Sequence, residues 1–420
     1  MSFKFDSSSL RSLSNVLLRN RLLSSSSLRR TPYSVEVAEI FPVSIGIDQN
    51  QCTRLCLLVP TLEPEKIYGG ISTALKFFKD LSDSLESPHN LRFIVTTDNV
   101  SPSALHALSQ RFKKSAVLCP PSSSIDVGIE VVPLLQFRGE TLIVRSSDYF
   151  VATAWWTADL GFRLINFQER AFKQSRKLIY LIQDWEPGFY KWSDKYAAAE
   201  ATYLNGDKTI AVINSEELFG YFNSRYQFEH TEVLRFELNQ TLSSRMSKTR
   251  KEKNILVYGR PSVERNCFYT IIEGLRIWQA QNPSRTEEYT IEFVGEFFSD
   301  EEVKELINSN ILGKLSLEEY AERLNKSEIG ISMMLSPHPS YPPLEMASAG
   351  MKVITNKFEA KDLQLRSDNI YNVDLLTPRH LAKKLNEVMN ASKFDDCELK
   401  HVEIRGAELN VNRVLDCLFK

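Results

Sequence analysis

Two parallel-sheet α/β domains are what this sequence predicts, and three observations carry the prediction. Short apolar runs alternate with stretches of helical periodicity, the series breaks at a charged segment, and it then restarts. Strands alternating with helical patterns build βαβ units and a parallel sheet. A charged break between two such series marks a domain boundary. The length agrees: at roughly 150 residues per domain, 420 residues give two to three domains.

The first thirty residues stand apart. They carry Arg11, Arg19, Arg21, Arg29 and Arg30 with Lys4 against one acid, Asp6, among serine clusters. Leu10, Leu13, Leu17 and the pair Leu22–Leu23 can stripe a short basic helix. Such a segment suits an anionic membrane surface. Its composition also fits an organelle transit peptide, and a frayed tail or a helix strapped across the first domain fits equally. The segment is bounded at 1–50.

The first domain is expected over 51–246. Arg54–Pro60 is an apolar run ended by proline, the pattern of a buried parallel strand. Gly69-Gly70 follows, then Ile71–Leu85 at helical spacing and the strand Leu91–Thr97. Leu142–Ser146, Val151–Trp156, Lys177–Gln183 and Lys208–Asn214 continue the alternation. Residues 247–254 form the charged linker. The second domain, 255–392, opens with Ile255–Tyr258 and continues through Tyr289–Val294, Ile329–Met334 and Lys352–Thr355. Helical segments lie between, among them Cys267–Gln281 and Leu317–Asn325. Residues 393–420 are expected to cross back to the first domain.

Composition excludes several classes. With 51 basic and 53 acidic side chains the net charge is −2, which gives no general pull toward nucleic acid. Six cysteines are too few for a disulfide scaffold. Cys52 and Cys56 lack the second ligand pair of a zinc site, so buried apolar cysteine is the expected role and no metal is expected. No apolar run reaches the roughly 18 residues of a membrane span. A reduced, cytoplasmic protein is expected, with contact to the inner membrane face through the basic N-terminus as an option.

Chemistry concentrates at a few places. Gly69-Gly70 opens a helix after the first strand, where backbone amides can meet a phosphate, although a glycine pair alone is usually a turn. In the second domain, Tyr258-Gly259-Arg260-Pro261 follows the first strand and Arg265 lies five residues on. Two guanidinium groups one loop apart can converge on one anion, and the planar fork of Arg suits a diphosphate. Two cations beside a helix start are otherwise unfavourable. Ser336–Gly350 (SPHPSYPPLEMASAG) is a proline-stiffened loop leading to a helix expected at Pro343 or Leu344. Glu345 then falls in the first turn, either as a cap or as a group binding hydroxyls.

Together these residues resemble the retaining GT-B glycosyltransferases of family 4, whose fold is two Rossmann-like domains facing a central cleft. Gly259, Arg260 and Arg265 match that family's G-R-x4-K/R grip on the donor diphosphate. Glu345 matches the second glutamate of its E-x7-E element, which holds the ribose hydroxyls. The first glutamate would fall at Pro337 and is absent. The SPHPSYPPLE loop is similar to dTDP-rhamnose-dependent rhamnosyltransferases of bacterial S-layer and O-antigen assembly, a resemblance running from about Cys52 to about Asn390. It extends to Tyr68-Gly69-Gly70, Gln183–Pro187, Gly313-Lys314-Leu315 and Tyr341. It implies Gly69 and Gly70 at the diphosphate, Lys314 and Leu315 at the base, and Tyr341 at the phosphate side.

The resemblance implies transfer of a sugar, L-rhamnose from dTDP-rhamnose, to a saccharide or lipid-linked saccharide acceptor, with no cofactor or metal. Arg260 and Arg265 would stabilise the leaving diphosphate. Asp184, ending the strand LIYLIQ, is the candidate proton acceptor or acceptor contact, with Glu186 and His338 as substitutes, unless the departing phosphate takes the proton. Asp184 as a turn cap is the plainer alternative. Of Trp155 and Trp156, one is expected in the core and one at the cleft. The rival class is a non-catalytic nucleotide-sugar binder on a degenerate scaffold; a nucleotide-sugar epimerase fits less well.

Overall fold

The computed structural model describes residues 40–419 except 68, 126–127, 248–250, 392–401 and 404–408. The basic N-terminal stretch, Tyr68 and Cys397 therefore lie outside the described residues. Val43–Lys420 forms one compact unit. Among the described residues its strands are β1 (Ser44–Ile47), β2 (Arg54–Val59), β3 (Asn90–Val95), β4 (Ala116–Leu118), β5 (Ile129–Pro133), β6 (Thr141–Val144), β7 (Asp148–Ala152) and β8 (Leu178–Ile182). They continue with β9 (Thr209–Asn214), β10 (His230–Leu234), β11 (Glu252–Gly259), β12 (Thr290–Gly295), β13 (Ser309–Gly313), β14 (Ser327–Ile331), β15 (Lys352–Asn356) and β16 (Ile370–Val373).

The first half is an eight-stranded sheet in the order β10-β9-β8-β7-β2-β3-β5-β4, and the second a six-stranded sheet in the order β13-β12-β11-β14-β15-β16. The neighbouring pairs are parallel in both. Helices make many of the crossovers between parallel strands, among them Trp155–Phe172 between β7 and β8 and Phe268–Gln281 between β11 and β12. The apolar runs read from the sequence are these strands: every residue of β2, β8 and β9 is buried. Helix Gly69–Ser84 puts Ala74, Leu75, Phe78 and Leu81 into the first core.

Boundaries differ in informative ways. β1 lies within the 1–50 segment and pairs with β6, so ordered structure begins earlier than its polar composition implied. β11 starts at Glu252, inside the charged stretch, because strand pairing needs only the backbone while Glu252 and Lys253 stay exposed. Helix Val411–Phe419 places Val414, Leu415 and Leu418 in the first half's core.

The amino edge of the first sheet is held by charge. Arg54 makes two bonds to Asp148, Nε–Oδ1 at 2.7 Å and Nη2–Oδ2 at 2.8 Å, and reaches Glu130 at 3.0 Å. Arg92 binds Glu130, and Arg145 binds Asp48 at 2.8 Å. Buried charges survive only when paired in this way. The carboxyl edge, opposite, is left to the site.

Candidate functional site

Parallel strands end together, and the loops after them share one edge where open α/β sheets bind ligands. On the first half this edge carries Gly69 and Gly70 opening the helix after β2, Gln183 and Asp184 after β8, and Asn214 ending β9. On the second it carries Arg260 after β11, Lys314 after β13, and the loop from Ser336 to Tyr341 after β14.

The two edges meet. Arg265, in the short turn Glu264–Asn266, sets Nη1 3.0 Å from Asp184 Oδ2 and its guanidinium 4.0 Å over the Phe189 ring. The Ser336 hydroxyl donates to Asp184 Oδ1, which also accepts from the Trp185 N–H at 2.8 Å. Asn214 Nδ2 donates to the Tyr341 hydroxyl at 3.0 Å. A Cβ on Gly69 would lie 3.9 Å from Tyr341 Cε2, and one on Gly70 only 2.9 Å from Gln183 Oε1. Lys314 Nζ lies 3.5 Å from the Glu65 carbonyl oxygen, and Leu315 packs against the second half's core.

Arg260 is fixed at its backbone, whose N–H donates to Asn266 Oδ1 at 2.6 Å. Beside it stands Tyr258, pushed up in pKa by burial, with the Arg260 charge opposing and the Glu345 charge adding. Arg260 and Glu345 therefore act on one side chain at one end of the sheet. Burial lifts the Glu345 carboxyl to about 7, with Tyr320 beside it opposing.

One expectation needs correction. The helix carrying Glu345 spans Tyr341–Ser348, so Glu345 is its fifth residue and not in the first turn. Early helical N–H groups need no intrahelical acceptor, so Pro342 and Pro343 can sit inside it. Arg265 pairs with the Asp184 carboxylate of the loop after β8.

The remaining predicted residues divide clearly. Glu186 accepts from the Trp155 N–H, and burial lifts its carboxyl to about 8. Trp155 is wholly buried, its Nε1 donating to Tyr190 at 3.0 Å, whereas Trp156 is partly open and donates to Thr96 at 3.2 Å. Cys56 and Cys119 are buried, but Cys52 is exposed at a polar turn before β2. Among the described residues no three His, Cys, Asp or Glu groups are gathered for a metal, and no helix is long and apolar enough to cross a membrane.

Sequence reading missed Ser336, Asn214 and Lys361. Asn214 had a signal, as a polar residue closing an apolar strand. Lys361 had none: it is buried, donates to the Met334 carbonyl at 2.6 Å, and burial lowers its pKa to about 8.

Comparison with known proteins follows this division. Residues 54–216 match the WsaF N-terminal domain and residues 253–386 the WsaF C-terminal domain. The O-antigen biosynthesis protein RfbC of Myxococcus xanthus is 26% identical over 308 residues, 69% of this chain but only 21% of that protein. The chain thus spans about a fifth of that relative's length. Sucrose-phosphate synthase from Thermosynechococcus elongatus superposes with a TM-score of 0.50 at 12% identity, over 81% of this chain and 90% of that one. The trehalose-6-phosphate phosphatase N-terminal domain of Candida albicans gives 0.52 at 11% identity, over 90% and 95%. The fold is GT-B, and with both domain matches in order and together spanning most of its length, the chain belongs to the WsaF family.

Proposed function

We propose that this chain is a glycosyltransferase that moves a sugar from a nucleoside diphosphate, L-rhamnose from dTDP-rhamnose, onto a saccharide acceptor in cell-surface polysaccharide assembly. The reading is supported by the placement of Arg260 and Glu345 after strands of the second sheet and of Gly69 and Gly70 after β2 of the first, with Arg265 paired across to Asp184 and the Tyr341 ring beside Gly69. The WsaF family and the O-antigen relative support the class of product. The second half would hold the nucleotide sugar and the first the acceptor, a saccharide free or carried on a lipid. The place of action would be the cytoplasm, on the inner face of the membrane where the acceptor is lipid-linked.

The chemistry follows from charge. The bond from the anomeric carbon to the diphosphate breaks, and a bond to the acceptor oxygen forms on the same face. Negative charge grows on the leaving diphosphate, where Arg260, Arg265 and the first amides of helix Gly69–Ser84 stabilise it without a metal. Donor entry would exchange the Asp184 carboxylate for the diphosphate as the partner of Arg265. The oxygens of Asp184 already accept from Arg265, Ser336 and Trp185, which suits positioning better than proton abstraction. A departing phosphate oxygen then takes the acceptor's proton.

Thermal shifts with dTDP, UDP, GDP and ADP test the donor base, since ligand at 100 times its Kd stabilises by about 2.7 kcal/mol. Release of dTDP from dTDP-rhamnose, dependent on acceptor, tests the reaction. A chain that no nucleotide stabilises would end the reading.

A further inference from the structure

His338 stands in the loop between β14 and helix Tyr341–Ser348. Its Nδ1 accepts from the backbone N–H of Ser340 at 3.0 Å and so carries no proton. Burial pulls the imidazole below the usual histidine range, against the carboxylates of Asp184 and Glu217 and with the cations Lys361 and Arg265. A neutral ring with a bare Nδ1 holds its proton on Nε2. That Nε2 is buried and has no hydrogen-bond partner among the described residues. A buried donor left unmatched is costly, and nothing among the described residues uses it.

Its surroundings say what would. The ring centroid is 5.4 Å from that of Tyr341, whose ring faces Gly69 and whose hydroxyl is tied to Asn214. The backbone N–H of His338 donates to Ser336 Oγ at 3.0 Å, and Ser336 donates to Asp184. The loop backbone on one side of the ring and Nδ1 of the ring itself are thus fixed, beside Tyr341 and the Asp184–Arg265 pair. Pro337 beside it offers no polar side chain. Arg260 and Arg265 carry the positive charge a diphosphate needs, whereas a neutral N–H matches a neutral hydroxyl oxygen.

We propose that His338 Nε2–H donates a hydrogen bond to a hydroxyl of the sugar carried on the nucleotide, making His338 a specificity-determining residue of the cleft. This rests on the nucleotide-sugar reading above, and the experiment separates the two. Binding of dTDP and of dTDP-L-rhamnose is measured by calorimetry for the wild-type chain, His338→Ala and His338→Gln, whose amide N–H reaches about as far as Nε2. The expected result is a dTDP affinity within about twofold throughout, with dTDP-rhamnose weakened about tenfold in His338→Ala and largely restored in His338→Gln. Equal loss for both ligands would make His338 a phosphate or structural group and overturn the proposal, as would no loss in either. A wild-type chain that binds neither ligand would overturn the underlying reading, and this proposal with it. Retained dTDP binding in His338→Ala shows that the variant folds.

Discussion

Arg265 Nη1 and Asp184 Oδ2 stand 3.0 Å apart, joining residues 81 positions apart in sequence that follow strands of different sheets. The side chains are about one-fifth exposed, so water can still enter and the pair can exchange partners. The carboxylate holds one edge of a guanidinium that also lies over the Phe189 ring.

Removing the guanidinium should therefore cost more than removing the carboxylate. Arg265→Ala and Arg260→Ala should each lower kcat by about 10²–10³ at saturating donor, the usual loss for one transition-state donor. Asp184→Asn keeps an oxygen for Ser336 and Trp185, and its kcat should fall less than about tenfold. Adding Asp184→Asn to Arg265→Ala should lower the rate no further, since coupled groups are not additive. A loss for Asp184→Asn as deep as that for Arg265→Ala would make Asp184 a direct proton acceptor.

Glu345 predicts a pH dependence with a definite sign. Its carboxyl is raised from an ordinary 4.5 to about 7, chiefly by burial. The folded chain then keeps a proton that the unfolded chain has lost, so this contribution to stability is full below about 4.5 and disappears as pH rises through about 7. Gln stays neutral, so Glu345→Gln should unfold at a higher temperature than wild type at pH 8 and differ little at pH 4.5. Donor affinity should move oppositely, strengthening above pH 7 in wild type as the carboxylate forms to accept ribose hydroxyls, and staying flat in the variant. Parallel profiles for the two proteins would remove Glu345 from the donor site.

Legibility in the sequence follows the range of the interactions. β2, β8 and β9 were legible because burial on both sheet faces leaves an unbroken apolar run, and Arg260 because it follows such a run directly. Glu345 was legible as a residue but misplaced by a turn, since three-residue stretches such as Tyr341-Pro342-Pro343 fit a loop as well as a helix start. Pairings between distant residues leave no local trace. Nothing near Arg54 announces Asp148, 94 residues on, and nothing near Glu217 announces Arg366, 149 residues on.

That last pair is a second tie between the two halves. Arg366 grips Glu217 with Nε–Oε1 at 2.6 Å and Nη2–Oε2 at 2.8 Å, and both side chains are almost fully buried. A buried ion pair broken on one side leaves an uncompensated charge, at a cost of about 3–5 kcal/mol. Arg366→Met should lower the urea midpoint accordingly, and Glu217→Leu with Arg366→Met should recover most of the loss. Equal destabilisation of the single and double variants would show that packing of the Arg366 stem, not charge, is what the junction requires.

Two glycines separate function from fabric. A Cβ on Gly206 would sit 1.7 Å from the Gln227 carbonyl oxygen, a backbone atom that cannot retreat without moving the chain before β10. Gly206→Ala should lower the unfolding temperature sharply while leaving donor affinity per folded molecule unchanged. At Gly70 the obstacle is the far end of the Gln183 side chain, 2.9 Å away, which can swing aside. Alanine also suits a helical position better than glycine, by up to about 1 kcal/mol. Gly70→Ala should therefore hold or raise the unfolding temperature, yet weaken dTDP binding by roughly tenfold or more, because the new methyl stands beside the amides that would meet the diphosphate. Unchanged dTDP binding in Gly70→Ala would move the diphosphate away from this helix start and leave Arg260 and Arg265 to hold it alone.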